Sequence, residues 1–272
     1  MKKHPMIAAL VLIVIFALCG GAVAEEKVLR LSTLAPLTTV DPHSTVNIQD
    51  KMVIFQVFEP LLSQNEATGE YEPRVAESYT ISDDGLLYTF KIRKNAKFHN
   101  GEDVKASDVV FSLKRAAANP KMRSWLVIMD DAVEVDEYTV EVKLKQANAA
   151  FLNNQSVVMM ISEKEVKEQG EEYGTKLTLS GTGPFYFTSL NHDVEWTCKA
   201  FPDYYLGEAA IKELHYVPIV EASAGLIAFE SGELDWYIAP IANWEALTSN
   251  PKYKTELGPA NHISFVAVNY LN

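Results

Sequence analysis

The chain has 272 residues, 48% of them hydrophobic, with 24 basic against 36 acidic side chains and a net charge of −12. That acidity repels nucleic acid and anionic lipid heads, and its even spread along the chain is that of a solvated globular surface. With only Cys19 and Cys198, a disulfide scaffold is excluded, so a hydrophobic core of one large or two modest domains must hold the fold.

The first residues read as an export leader. Lys2 and Lys3 give a positive start, Pro5 to Cys19 is almost wholly apolar, and Ala22-Val23-Ala24 is a small-x-small cleavage site. The apolar run is shorter than the roughly 18 residues of a membrane span, and no stop-transfer segment follows. Leu18 and Phe16 do not fit the pattern for lipid attachment at Cys19. Cleavage after Ala24 predicts a signal peptide over 1–24 and a mature start at Glu25. Losing Lys2 and Lys3 from the 24 basic residues leaves 22 against 36 acidic, a net of −14.

Val28 to Thr33 alternates apolar and polar residues and predicts a first strand, followed by a Thr- and Pro-containing loop from Leu34 to Pro42. Helical spacing at Val53, Ile54, Val57, Phe58 and Leu61 in the apolar run Lys51 to Leu62 predicts a buried helix that ends at Pro60. Tyr79 to Ile81 and Leu86 to Arg93 flank Asp83-Asp84-Gly85 as a hairpin, with Tyr88, Phe90 and Ile92 on one face. Ser107 is the expected cap of a helix whose apolar face is Val109, Val110, Leu113, Ala116 and Ala117, ended by Asn119-Pro120. Val133 to Val135 pairs with Tyr138 to Leu144, and Glu163 to Gly170 forms a short charged helix.

Beyond Thr182, strands are expected at Phe185 to Leu190, Glu195 to Phe201 and Lys212 to Val217, with Asn191-His192-Asp193 turning the first two. Glu221 to Ser231 reads as a helix closed by Gly232, with Ala222, Leu226 and Phe229 near one face. Leu234 to Ile238 follows as a buried strand, and Ile263 to Val268 as a last one. Strands and helices mix without strict βαβ alternation, which predicts a mixed α/β fold.

Enzyme constellations are missing from the sequence. It has no Gly-x-Ser-x-Gly elbow, His-Glu-x-x-His, Cys-x-x-Cys or Gly-x-x-x-x-Gly-Lys-Ser/Thr loop. Gly181-Thr182-Gly183 looks like a phosphate cradle, but Pro184 removes an N–H that a phosphate would need. His43, His99, His192, His215 and His262 stand singly, so neither a metal site nor a cofactor is expected.

Four stretches carry a resemblance. They are Val-Asp-Pro-His-Ser-Thr (Val40 to Thr45), the run from Ser82 to Arg115 with Phe98 to Gly101 and Ala106 to Val109, Gly-Thr-Gly-Pro-Phe-Tyr-Phe (Gly181 to Phe187), and Phe201 to Gly207 with Phe229 to Tyr237. In this order they resemble the family 5 extracellular solute-binding proteins, the peptide- and nickel-type receptors of ABC importers. Each stretch also has a structural cause: Gly85 and Gly101 serve turns, Asp108 a helix start, Gly232 a helix end.

The resemblance implies a type II periplasmic-binding-protein-like fold: a discontinuous lobe one (25–44 and 181–272) with a small domain (45–180) inserted into it. The opposing lobe and the C-terminal return of lobe one, which would follow a residue like Asn269, are expected to be absent. On that reading the protein is no enzyme but a periplasmic or extracellular receptor. It captures a peptide or similar small molecule noncovalently and delivers it to a membrane ABC permease, here with affinity weaker than micromolar or lost. The alternative is a one-lobed scaffold or partner-binding protein outside transport. Ligands in such folds meet the loops that follow sheet strands. The candidates are therefore Leu34, Ala35, Thr38 and Thr39 after the first strand, then Trp236, Tyr237 and Ile238, and Asn261 beside His262. The Thr38-Thr39 loop is the stronger candidate. Trp236 and Tyr237, as neighbours on a strand, are expected to face opposite ways.

Overall fold

The computed structural model describes residues 27–65, 68–175, 180–191 and 194–255. The leader, Asn261, His262 and the expected strand at Ile263 to Val268 lie outside the described residues, as do His192 and Asp193 of the expected turn. Strand β1 is Val28–Thr33, as its alternation predicts. Helix α1 spans Ile48–Val57, three residues earlier than expected. Asn47 moves the start, because its side-chain oxygen accepts the Gln49 N–H at 3.0 Å. At the other end Phe58 is already extended, and Pro60 disfavours helical backbone at Glu59. Leu61 and Leu62 therefore leave the helix, and Leu62 opens β2 (Leu62–Gln64), which pairs with β3 (Tyr71–Pro73).

The hairpin forms as β4 (Ala76–Ile81) and β5 (Leu87–Ile92), turned at Gly85 with φ 69°. Helix α2 covers Ala106–Ala118. Ser107 is not its cap. The Asp108 carboxylate, inside the first turn, accepts the Lys105 N–H at 3.1 Å instead. Strand β6 (Met129–Asp136) is longer than expected and bulged, while β7 (Thr139–Leu144) matches. Helix α3 (Phe151–Gln155) carried too few residues to show a period, and α4 (Glu163–Gln169) is capped by Ser162. Then come β8 (Phe185–Asn191), β9 (Glu195–Ala200), β10 (Glu213–Pro218), α5 (Ala222–Ser231) and α6 (Trp244–Thr248).

Two four-stranded sheets organise these elements. One is antiparallel in the order β4-β5-β7-β6. The other runs β1-β10-β9-β8, with β1 parallel to β10 and the remaining pairs antiparallel. Since β1 and β10 lie far apart in sequence, everything from 34 to 212 is one excursion between two adjacent strands. The expected buried strand at Leu234 to Ile238 is reduced to a single parallel bridge, Leu31 to Trp236. Leu234 is buried, but Trp236 is 42% exposed, so the segment lies along the β1 edge rather than inside a sheet.

Two hydrophobic cores follow the two sheets. The first packs α2 and α3 on the antiparallel sheet through Phe90, Phe98, Leu113, Leu126, Val142 and Phe151. The second gathers Val53 of α1, Phe58 just beyond it, Ile161, Tyr173, Trp196 and Tyr216 around the mixed sheet. Helix α1 and the stretch Met159 to Tyr173 thus share a core with β1, although they fall within 45–180.

Polar contacts staple the two cores together. Arg115 of α2 clamps Asp41 with two bonds of 2.9 and 2.7 Å and lies over the Tyr173 ring. Burial pushes the Asp41 carboxyl upward, but Arg115, Ser44 and the His43 N–H outweigh it and hold it below its usual range. His99 grips the other crossing: its Nδ1 accepts the Gly181 N–H at 3.1 Å, and its Nε2–H donates to the Gly183 carbonyl at 2.9 Å. Those two bonds require a neutral ring, and burial lowers its pKa to about 4.

Candidate ligand site

Backbone pairing builds the site from the outer edge of β1. The Arg30 carbonyl accepts the N–H groups of Asp235 and Trp236 at 2.9 and 3.1 Å, and the Ser32 N–H donates to the Trp236 carbonyl at 3.2 Å. Side chains repeat the tie. Arg30 Nε and Nη2 each reach the Asp235 carboxylate at 2.9 Å, and the Arg30 backbone N–H adds a third bond of 2.9 Å. Those bonds, with the Arg30 charge, overcome the upward push of partial burial and lower the Asp235 pKa. Glycine at 232 closes α5 at φ 81°, which lets the chain turn back from the helix onto this edge.

Trp236 and Tyr237 then diverge, as adjacent residues on an extended segment must. Trp236 stays half-open to solvent. Tyr237 lies on α5, its ring 5.2 Å from that of Phe229, which in turn sits 5.0 Å from Tyr253. Room for the Tyr237 ring comes from Gly225, where a Cβ would stand only 3.3 Å from its Cδ2. The Tyr237 hydroxyl is buried without a hydrogen-bond partner among the described residues. Burial, with Glu230 and Tyr253 nearby, raises its pKa.

A cavity of about 650 Å³ opens here. Asp235, Trp236, Tyr237 and Ile238 line it together with Phe229, Trp244, Leu247, Lys252, Tyr253 and Lys254. The sequence reading reached Trp236, Tyr237 and Ile238 but missed the rest. A signal for the lysines was present: from Glu213 to Asn272 they are the only basic residues, against seven acidic ones.

The loop after β1 is differently committed. Thr38 donates its N–H (2.9 Å) and its hydroxyl (2.5 Å) to Asp50, a fully buried carboxylate that also accepts from Thr45. The Thr39 hydroxyl accepts the Asp41 N–H at 3.1 Å. Both threonine side chains therefore hold the loop's shape. Leu34 is exposed, with its N–H on Gln49 Oε1 at 2.8 Å, and Ala35 receives the Thr33 hydroxyl on its carbonyl at 3.0 Å. Neither Leu34, Ala35, Thr38 nor Thr39 lines the cavity at Trp236.

Among the described residues, no group of three or more His, Cys, Asp or Glu side chains could hold a metal ion. No helix there is long and apolar enough to cross a membrane.

Comparison with known proteins matches residues 70–272 to the bacterial extracellular solute-binding proteins, family 5. The glutathione-binding protein GsiB of Pectobacterium atrosepticum is 30% identical over 203 residues, covering 72% of this chain and 39% of that protein. Di/tripeptide-binding protein 4 of Pseudomonas aeruginosa is 28% identical over 270 residues, covering 87% of this chain and 49% of its own. In structure, the PBP/SBP MoaA of A. tumefaciens R10, solved with mannopinic acid, superposes with a TM-score of 0.77 at 28% identity, over 83% of this chain and 48% of that one. The chain spans about half the length of the curated relatives it matches, or somewhat less. With a match running from residue 70 to residue 272, the chain belongs to the bacterial extracellular solute-binding proteins of family 5.

Proposed function

We propose that this chain is the ligand-capturing component of an ABC importer for peptide-type solutes, exported by the leader over 1–24 and handed its partner, a membrane permease, outside the cytoplasm. Family membership supports the class. One observation supports the location: the Asp235–Ile238 segment is hydrogen-bonded to the β1 edge and opens directly onto a cavity of about 650 Å³, within the size range of small-ligand pockets. The mixed sheet with β1 serves as lobe one, and the antiparallel sheet as the inserted domain. The division of the two cores supports counting α1 and Met159 to Tyr173 with lobe one.

Capture on this reading is noncovalent. Aromatic faces remove apolar ligand surface from water, and polar groups of the same lining bond its polar ends. Closure against a second wall favours the liganded state only as far as that wall adds contacts. Titration of the full chain with a mixed di- and tripeptide pool, followed by calorimetry, tests the proposal. Saturable heat that weakens in Trp236→Ala supports it. The absence of any saturable signal up to millimolar peptide overturns it.

A further inference from the structure

The wall chemistry of the Trp236 cavity is unlike the rest of this acidic chain, and it specifies a ligand class. Five aromatic rings line it: Phe229, Trp236, Tyr237, Trp244 and Tyr253. Rings at this density suit a flat or branched apolar group, because each offers a wide apolar face at little entropic cost. Three charged side chains accompany them: Asp235, Lys252 and Lys254. The Asp235 carboxylate is already neutralised by the bidentate Arg30 and an additional N–H. Lys252 and Lys254 are exposed, and among the described residues neither is paired with a carboxylate. The wall therefore carries an uncompensated positive charge within a chain of net charge −12.

Resting on the solute-capture reading above, we propose that this cavity selects a ligand end that combines an aromatic or branched apolar group with a carboxylate. The apolar group enters between Trp236, Tyr237 and Trp244, and the carboxylate meets Lys252 and Lys254. A peptide presents its carboxyl end here rather than its amine, since Asp235, the one carboxylate in the lining, is held by Arg30. Opposite charge on a partly solvated rim contributes modestly, so the aromatic faces supply most of the affinity and the lysines supply discrimination.

The test uses the full chain and three probes: N-acetyl-L-phenylalanine, its neutral amide, and N-acetyl-L-alanine. Binding is read by quenching of tryptophan fluorescence and by calorimetry. The acid is expected to bind about fivefold or more tightly than its amide, the weight of one or two partly solvated charge pairs, and more tightly than the alanine analogue. In Lys252→Gln/Lys254→Gln the acid should fall to the affinity of the amide while the amide is unchanged. Both lysines are exposed, so the variant keeps the fold, which circular dichroism checks. Equal binding of acid and amide, or an unaltered acid in the double variant, overturns the proposal. A peptide pool that binds saturably, is not displaced by N-acetyl-L-phenylalanine and ignores the double variant leaves the capture reading standing and overturns this one. Loss of the peptide signal alone, with the acid still bound at the lysines, separates the two in the other direction.

Discussion

Gly181→Ala isolates the close approach of the Gly181–Gly183 segment to the end of α1 within the second core. A Cβ at position 181 would stand 1.9 Å from the Val57 carbonyl oxygen and 2.7 Å from its carbon, both backbone atoms at the end of α1. No rotamer relieves such a contact, so the strand must retreat from the helix by roughly 1 Å. That retreat stretches the Gly183 N–H bond to Val57 O, now 2.9 Å, and the pair of bonds that His99 makes to Gly181 and Gly183. Overpacking of a tight site costs about 1–3 kcal/mol, and each of the three weakened hydrogen bonds about 1 kcal/mol more, so a loss of about 4–6 kcal/mol is expected. Gly101→Ala is the control. Its φ is 88° and no atom lies within 4 Å of the added Cβ, so it suffers only left-handed backbone strain of about 1–2 kcal/mol. Urea unfolding followed by tryptophan fluorescence, which includes the fully buried Trp196, measures both. If Gly181→Ala loses no more than Gly101→Ala, steric approach is not what requires glycine at position 181.

Asp41→Asn should destabilise by about 3 kcal/mol, because it leaves Arg115 facing a neutral partner in a largely buried site; urea midpoints measure it, and a loss below 1 kcal/mol would contradict the staple. Acid should weaken the same contact: with its folded pKa depressed, Asp41 contributes stability above the unfolded carboxylate value that is lost as pH falls through the folded one. Arg30→Ala should cost less than about 1 kcal/mol despite its bidentate geometry, since both partners are substantially exposed. His99→Gln should flatten the pH dependence between about 6.5 and 4. The folded ring stays neutral while the unfolded one takes a proton, so stability present above pH 6.5 is lost as pH falls toward 4, by up to about 3 kcal/mol. Buried Glu59, Asp108 and Glu165 have pKa values raised by burial and act with the opposite sign, so the test is the difference between variant and parent across that window.

The family was legible in the sequence because its motifs are local solutions to backbone problems. Gly85 and Gly101 adopt positive φ, Gly232 closes a helix, and Asp108 caps one, wherever the rest of the chain goes. Alternation at Tyr88, Phe90 and Ile92 likewise fixed a buried face before any partner was known. What the sequence left open was long-range. Nothing near Val53 or Ile161 says that they share a core with Trp196 rather than with Phe90, since apolar periodicity names a buried face but not what covers it. Thr38 and Thr39 looked available because a hydroxyl is legible and its acceptor is not; only the fold brings the Asp50 carboxylate to Thr38 and the Gly174 carbonyl to Thr39. Trp236 and Tyr237 were equivalent in sequence. The backbone pairing of Trp236 with β1 sets which neighbour turns to α5; Tyr237 packs there over Gly225, and the indole stays half-open beside the cavity.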